Sequence, residues 1–158
     1  MIFITIGNHN QEFTRLIKRI DGIAKELKDK VVIQKGLTKY KPKNCESFDF
    51  APEIDSYYEK ARLVISHGGS SPWEFLYKYK KPLIIVPRQY KFDEHINDHQ
   101  VEFSKNLEKK TGVKVILDVK ELTPELLNDY EKVVGIDGEN LKGLQEYLKN
   151  YLRTLNLK

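Results

Sequence analysis

The chain has 158 residues, 40% of them hydrophobic, which is enough for one compact domain (1–158) with a buried core and too few for two. Its longest aliphatic run, residues 83–86, is far shorter than a membrane span, and the first twenty residues lack a signal-peptide core, so we expect a cytoplasmic protein. The single cysteine, Cys45, excludes an intrachain disulfide and a thiolate-rich zinc site. The net charge is only +4 and the basic residues are dispersed along the chain, which argues against nucleic-acid binding.

Short apolar runs alternate with amphipathic segments along the chain. In chain order the pattern predicts a strand over 2–6, a helix over 13–27, strands over 31–33 and 48–51, a helix over 52–60, a strand over 63–65, a helix over 72–79, a strand over 83–86, a helix over 97–110, a strand over 114–117, a helix that begins around 123, and a last helix over 138–155. Apolar strands separated by helices are typical of a parallel sheet covered on both faces. The sequence therefore predicts a three-layer α/β domain with a mostly parallel sheet.

Three of the predicted strands end in polar loops, over residues 7–11, 66–71 and 88–100. Ligands of such sheets bind beyond the carboxyl ends of the strands, where these loops should meet. The four histidines of the chain all lie in the three loops: His9, His67, His95 and His99.

The middle loop has the composition of an anion site. Gly68 and Gly69 permit a sharp turn and a close approach to a ligand, and the helix that follows presents free N–H groups and the positive end of its dipole. Ser70 and Ser71 can cap that helix or donate to phosphate oxygens, and His67 can donate to the same charge. An ordinary strand-to-helix turn with a serine cap is the alternative.

Two residues of the following helix have two interpretations each. Glu74 could accept hydrogen bonds from the two hydroxyls of a ribose, or it could simply complement the dipole near the helix N-terminus. Trp73 fits the hydrophobic core better than a platform for base stacking.

The third loop combines several hydrogen-bonding side chains. His95 and His99 stand at a spacing seen in metal sites, but no glutamate follows the first histidine, and the residues just before His99 fit a helix cap better. We therefore expect no metal. A sugar or a nucleotide needs several fixed donors and acceptors, which Arg88, Asp98, His99 and Gln100 supply.

Three stretches resemble the donor-binding half of family 28 glycosyltransferases: MIFITIGNHNQEFTRLIKRID, KARLVISHGGSS and KKPLIIVPRQYKFDEHINDHQVEF. The resemblance covers residues 1–118, and it is to the small stand-alone form found in bacterial capsule and exopolysaccharide synthesis. The chain is also similar to the nucleotide-sugar-binding subunit of the two-subunit dolichol-pathway N-acetylglucosaminyltransferase. The resemblance implies a Rossmann-like domain, the C-terminal half of a GT-B fold, that binds a UDP-sugar as donor substrate and needs no cofactor.

The resemblance also implies roles for individual residues. The first-strand loop of the family corresponds to Gly7 and His9, and its sugar contacts correspond to Asp98 and Gln100. The phosphate loop corresponds to His67, Gly68, Gly69, Ser70 and Ser71. The chain departs from the family pattern at Asn8, where many relatives have a threonine. The family glutamate that holds the ribose sits one residue later than Glu74, which would rotate the side chain by about 100° on a helix.

By the same resemblance the reaction is an inverting displacement at the anomeric carbon, with UDP as the leaving group. Main-chain amides after His67, with His67 itself and Arg88, would stabilise the charge of the diphosphate. The base comes from a partner or from His9. That partner is a membrane-attached subunit that holds a lipid-linked sugar acceptor and recruits this chain to the inner face of the membrane.

Three other functions compete with this interpretation. A UDP-sugar-binding regulatory or scaffold protein would bind nucleotide without transferring the sugar. A nucleotide-sugar 2-epimerase normally needs both halves of the fold in one chain. A nicotinamide enzyme is disfavoured because no G-x-G-x-x-G follows the first strand.

Overall fold

The computed structural model describes residues 1–69 and 71–134. The predicted helix over 138–155 lies outside these residues. The elements are, in chain order, β1 (Ile2–Thr5), α1 (Thr14–Ile23), β2 (Val31–Gln34), β3 (Glu46–Phe48), α2 (Asp55–Lys60), β4 (Leu63–Ser66), α3 (Ser71–Lys78), β5 (Leu83–Ile85), α4 (His99–Thr111), β6 (Lys114–Val115) and α5 (Pro124–Asp129).

The strands form one sheet in the order β3-β2-β1-β4-β5-β6, and all the neighbouring pairs are parallel. The order reverses direction between β1 and β4, which is the switch point where ligands of doubly wound sheets bind. Thr5 and Ser66 are opposite each other at the carboxyl ends of these two strands, so the loops that follow them begin side by side. The predicted parallel sheet is confirmed.

Alternate residues of the strands face opposite sides of the sheet. In β1, Ile2 and Ile4 pack with α1 residues such as Leu16, whereas Phe3 packs with residues of α2, α3 and α4, among them Phe75 and Phe103. A strand covered on both faces must be apolar at every position, which explains the unbroken hydrophobic runs. The three layers of the prediction are therefore present.

Several element boundaries differ from the prediction. The strand expected over 48–51 lies at Glu46–Phe48, because this edge strand is largely exposed and so lacks the apolar pattern that marks the buried strands. The helix expected over 52–60 begins only at Asp55. The start of α5 is as predicted, since the Thr123 hydroxyl accepts a hydrogen bond from the Leu126 amide at 3.2 Å.

No helix among the described residues combines the length and the apolar character that a membrane crossing requires.

Candidate functional site

The loops after β1 and β4 meet at His67, the first residue beyond β4. Its amide donates to the Thr5 carbonyl oxygen at 3.1 Å, which continues the pairing of the two strands by one step. The residue is partly exposed, whereas its Nδ1 atom is buried and has no hydrogen-bond partner among the described residues. The predicted loop therefore begins at the switch point of the sheet.

Two glycines make room for the imidazole of His67. Gly7 has a φ of +70°, and a Cβ atom on it would lie 2.6 Å from Cε1 of the ring. A Cβ on Gly69 would lie closer still to Nε2. Because real Cβ atoms do not approach other atoms so closely, a side chain at either position would displace the ring. Gly69, one of the two glycines predicted to let the backbone approach a ligand, thus holds His67 together with Gly7 of the first-strand loop.

The rest of this loop leads directly into a helix. Gly68 is buried, and its α-carbon faces Ser104 and Pro87. The helix α3 begins at Ser71, as the anion-site interpretation requires. Ser70 lies outside the described residues, as do the side chains of Ser71, Trp73 and Glu74, so their predicted roles stay predictions.

Arg88 lies beneath the loops and is fully buried, with 0% of its surface exposed. Its guanidinium donates to the carbonyl oxygens of Ile6 (3.0 Å), Gln11 (2.8 Å) and Glu94 (3.2 Å). Burial lowers the pKa of Arg88 to about 10, which still leaves it charged at neutral pH. The resemblance implies that Arg88 stabilises the charge of the diphosphate; in the structure its side chain is directed inward and joins the loop after β1 to the loop after β5.

The residues at the start of α4 divide between the interior and the surface. Gln100 is buried, and its Oε1 accepts from the amide of Arg88 at 3.2 Å. Asp98 is exposed and accepts from the Tyr90 amide at 2.9 Å. Asp98 occupies the predicted cap position, although its side chain makes no capping hydrogen bond. Of the predicted sugar contacts, Gln100 is therefore directed inward, whereas Asp98 is exposed and His99 is half-buried.

Three imidazoles form a row beside His67. The ring centroid of His95 is 4.3 Å from that of His9 and 4.3 Å from that of His99. Within residues 1–69 and 71–134, no group of three or more His, Cys, Asp or Glu side chains is arranged to hold a metal ion. His95 and His99, four residues apart in the sequence, meet edge to face, with their ring planes at 80°.

The histidines of this region are neutral near pH 7. Burial, followed by the charge of Arg88, lowers the pKa of His67 to about 4, although a backbone hydrogen bond to Thr5 acts in the opposite direction. Burial and then the neighbouring His99 and His9 lower the pKa of His95 to about 4. Burial also lowers the pKa values of His9 and His99. His67 therefore acts toward a ligand as a neutral hydrogen-bonding group.

We expect the stability of the protein to fall as the pH is lowered from about 6.5 to about 4. In that window the unfolded chain binds protons at the four histidines that the folded protein binds more weakly, so the free energy of unfolding increases with pH. His67 and His95, with the largest shifts, contribute a difference of up to about two bound protons. The carboxylates of Asp21 and Asp29 have lowered pKa values and titrate below this window.

Urea denaturation at several pH values measures this slope. A protein with both His67→Gln and His95→Gln should show a flatter dependence between pH 6.5 and 4. An unchanged slope in that double variant would show that other groups control the acid sensitivity.

A cavity of about 420 Å³ opens beside Gly7 and His67, between the sheet and α2 and α3. Its walls combine polar groups of the strand ends with an aromatic and aliphatic side: Thr5, Gly7, Asn8, Gln34, Phe50, Ala51, Ile54, Asp55, Tyr58, His67, Phe75 and Tyr79. The rings of Tyr58, Phe75 and Tyr79 lie with their centroids 5.3 Å apart. This shape and lining suit a flat heterocycle.

Sequence analysis misses this cavity. The aromatic residues that line it come from separate segments, and each one also fits an ordinary core position. The one visible signal is the high density of aromatic residues between 48 and 58, followed by Phe75 and Tyr79 one helical turn apart.

A doubly wound parallel sheet with glycine-lined loops at its switch point defines a Rossmann-like domain, and this one has the architecture of the C-terminal half of GT-B glycosyltransferases. Residues 1–146 match the model of the glycosyltransferase family 28 C-terminal domain. The chain belongs to this family, as its sequence motifs predict.

Individual relatives agree with this assignment. The chain is 26% identical over 152 residues to a UDP-N-acetylglucosamine--N-acetylmuramyl-(pentapeptide) pyrophosphoryl-undecaprenol N-acetylglucosamine transferase of Sulfurihydrogenibium sp. (strain YO3AOP1). The match includes 94% of this chain and 42% of that protein, so the chain spans less than half the length of this relative.

Two crystal structures share the fold at low sequence identity. The glycotransferase of kitacinnamycin superposes with a TM-score of 0.57 at 16% identity, over 82% of this chain and 34% of its own. MurG of Acinetobacter baumannii superposes with a TM-score of 0.52 at 21% identity, over 79% of this chain and 38% of its own.

Proposed function

We propose that this chain binds a UDP-sugar at the switch point between β1 and β4. The diphosphate lies against the main-chain amides of residues 67–69 and the start of α3, and the uracil ring occupies the aromatic side of the adjacent cavity. The observation that carries this proposal is the position of His67, which is held between Gly7 and Gly69 at the start of that loop and also lines the cavity. A helix that begins at Ser71 directs its dipole toward the same place.

The proposed reaction is glycosyl transfer with inversion. An acceptor hydroxyl forms a bond to the anomeric carbon, the bond from that carbon to the diphosphate oxygen breaks, and UDP leaves with the electron pair. Amides and the neutral imidazole of His67 stabilise the negative charge that develops on the diphosphate. The acceptor proton passes to His9 or to a base of a partner protein. Asp98 and His99 are the side chains proposed to select the sugar, and the buried Gln100 is proposed to hold the start of α4 against Arg88.

The second component in this proposal is a membrane-attached protein that holds a lipid-linked sugar acceptor. Support for such an acceptor comes from the relative that is 26% identical to this chain, whose name includes a pyrophosphoryl-undecaprenol acceptor. The complex would work at the inner face of the membrane in capsule or exopolysaccharide synthesis. Co-expression with the product of a neighbouring gene, followed by an assay with a panel of UDP-sugars, tests this arrangement; binding without transfer would identify a regulatory or scaffold protein instead.

We expect His67→Ala to weaken binding of UDP by at least about tenfold, because the substitution removes a hydrogen bond to a charged group. Calorimetric titration measures the dissociation constant. His67→Gln, which keeps a polar side chain, should recover part of the loss. The exposed Tyr77 on α3 supplies a control, since Tyr77→Ala lies outside the cavity and should bind UDP like the wild type. Unchanged affinity in His67→Ala would contradict the assigned loop.

A further inference from the structure

The row formed by His9, His95 and His99 brings together three parts of the chain. His9 belongs to the loop after β1, His95 to the connection before α4, and His99 is the first residue of α4. His95, in the middle, is 5% exposed, and the rings on either side are half-buried. The row adjoins the proposed diphosphate site, since His9 and His95 both act electrostatically on His67.

Burial is the main reason why the rings of the row are neutral, since it lowers the pKa values of all three. The positive charge of Arg88 lowers those of His9 and His95 further, and the rings act on one another. The carboxylate of Glu102 on α4 has the opposite effect, since its negative charge raises the pKa of His99. Glu94 offsets the charge of Arg88, but both of its carboxylate oxygens already accept hydrogen bonds from Arg15 and from the Gln89 amide. The row thus consists of uncharged imidazoles next to one buried positive charge, that of Arg88.

We infer that the imidazole row takes up a proton when a diphosphate binds, so that the anion and the proton bind together. This inference depends on the proposed function for the identity of the anion. A diphosphate carries two negative charges, which favour the protonated form of any imidazole close to it. Because the rings are in contact, a first proton disfavours a second, and the row as a whole should take up about one.

The hydrogen bonds of the row indicate where the proton resides. Nδ1 of His9 accepts from the Gln11 amide at 3.2 Å, and protonation at Nδ1 would break that bond. Nδ1 of His99 lies within hydrogen-bond distance of the Asn97 side-chain oxygen, which can accept from a protonated ring. With Glu102 also near it, His99 is the best acceptor of the proton, and His95 is the next in the row.

The test is calorimetric titration of the full chain with UDP-N-acetylglucosamine at pH 6 and pH 8, in buffers of different ionisation enthalpy. Both phosphates of this ligand are esterified, so the ligand itself does not titrate near pH 6 and any proton uptake belongs to the protein. We expect uptake of about half a proton at pH 6, close to none at pH 8, and affinity that is several-fold tighter at the lower pH.

Two variants separate this row from the rest of the site. The double variant His95→Gln/His99→Gln should lose the uptake and the pH dependence of affinity. His67→Gln should weaken binding at both pH values while the uptake persists. Binding of the wild type without proton uptake, or uptake that persists in the double variant, would overturn this inference alone. Absence of binding under all conditions would overturn the proposed function and this inference with it.

Discussion

Gly7→Ala should weaken binding of UDP by at least about tenfold, which corresponds to about 1.4 kcal/mol. The φ of +70° at this position costs a residue with a side chain roughly 1–2 kcal/mol, and the new methyl group would overlap the ring of His67. The ring must then move out of its place between Gly7 and Gly69, and the loop that holds the diphosphate moves with it. Calorimetric titration gives the change in affinity, and urea denaturation gives the accompanying loss of stability.

The chain contains a matched control for this change. Gly22 lies in α1, is exposed, and would place a methyl group in open space. Gly22→Ala should stabilise the helix by up to about 1 kcal/mol and leave UDP affinity unchanged. Wild-type affinity in a folded Gly7→Ala protein would show that the position of His67 does not control binding.

Arg88→Met is expected to destabilise the protein by about 3 kcal/mol or more. The change removes three hydrogen bonds from a charged donor and leaves the carbonyl groups of Ile6, Gln11 and Glu94 without this partner in a buried place. It also removes a positive charge that lowers the pKa of His67, so that the imidazole should titrate at a higher pH in the variant. Urea denaturation and a titration of the histidine resonances by NMR measure the two effects.

Two further variants separate the effect of the charge of Arg88 from the effect of its burial. Arg88→Lys keeps the charge but cannot reach three carbonyl groups with one ammonium group, so we expect a smaller loss of stability and little change in the pKa of His67. Arg19→Met removes hydrogen bonds to the carbonyls of Leu122 and Lys120 at a half-buried position, for an expected cost of about 1 kcal/mol. Equal losses for Arg88→Met and Arg19→Met would mean that burial of Arg88 has no special role.

The sheet and the position of the site follow from local rules that sequence analysis can apply. A strand covered on both faces is apolar throughout, and loops with glycine and histidine stand out at the ends of such strands. The loop from His67 to Gly69 was therefore predictable, and so was its meeting with Gly7. The edge strand β3 was predicted too late in the chain, because its exposed residues lack the continuous apolar run that marks the buried strands.

The remaining features depend on where side chains point after folding. An arginine just after a strand normally reaches solvent, and only the folded structure shows three backbone carbonyls converging on Arg88. The row through His95 joins His99, four residues away, to His9, which is far away in the sequence. The spacing of His95 and His99 is visible in the sequence, but it does not reveal that the ring of His9 lies against that of His95.

The buried arginine also constrains how this site can diversify. The Arg88 side chain both carries the buried positive charge that acts on His67 and joins the loops after β1 and β5, so Arg88→Met changes both properties, whereas Arg88→Lys keeps the charge and weakens the connection. Among close homologues with different ligand preferences, we therefore expect substitutions at exposed positions around the site, such as Asn8 and Asp98, and the same arginine at position 88.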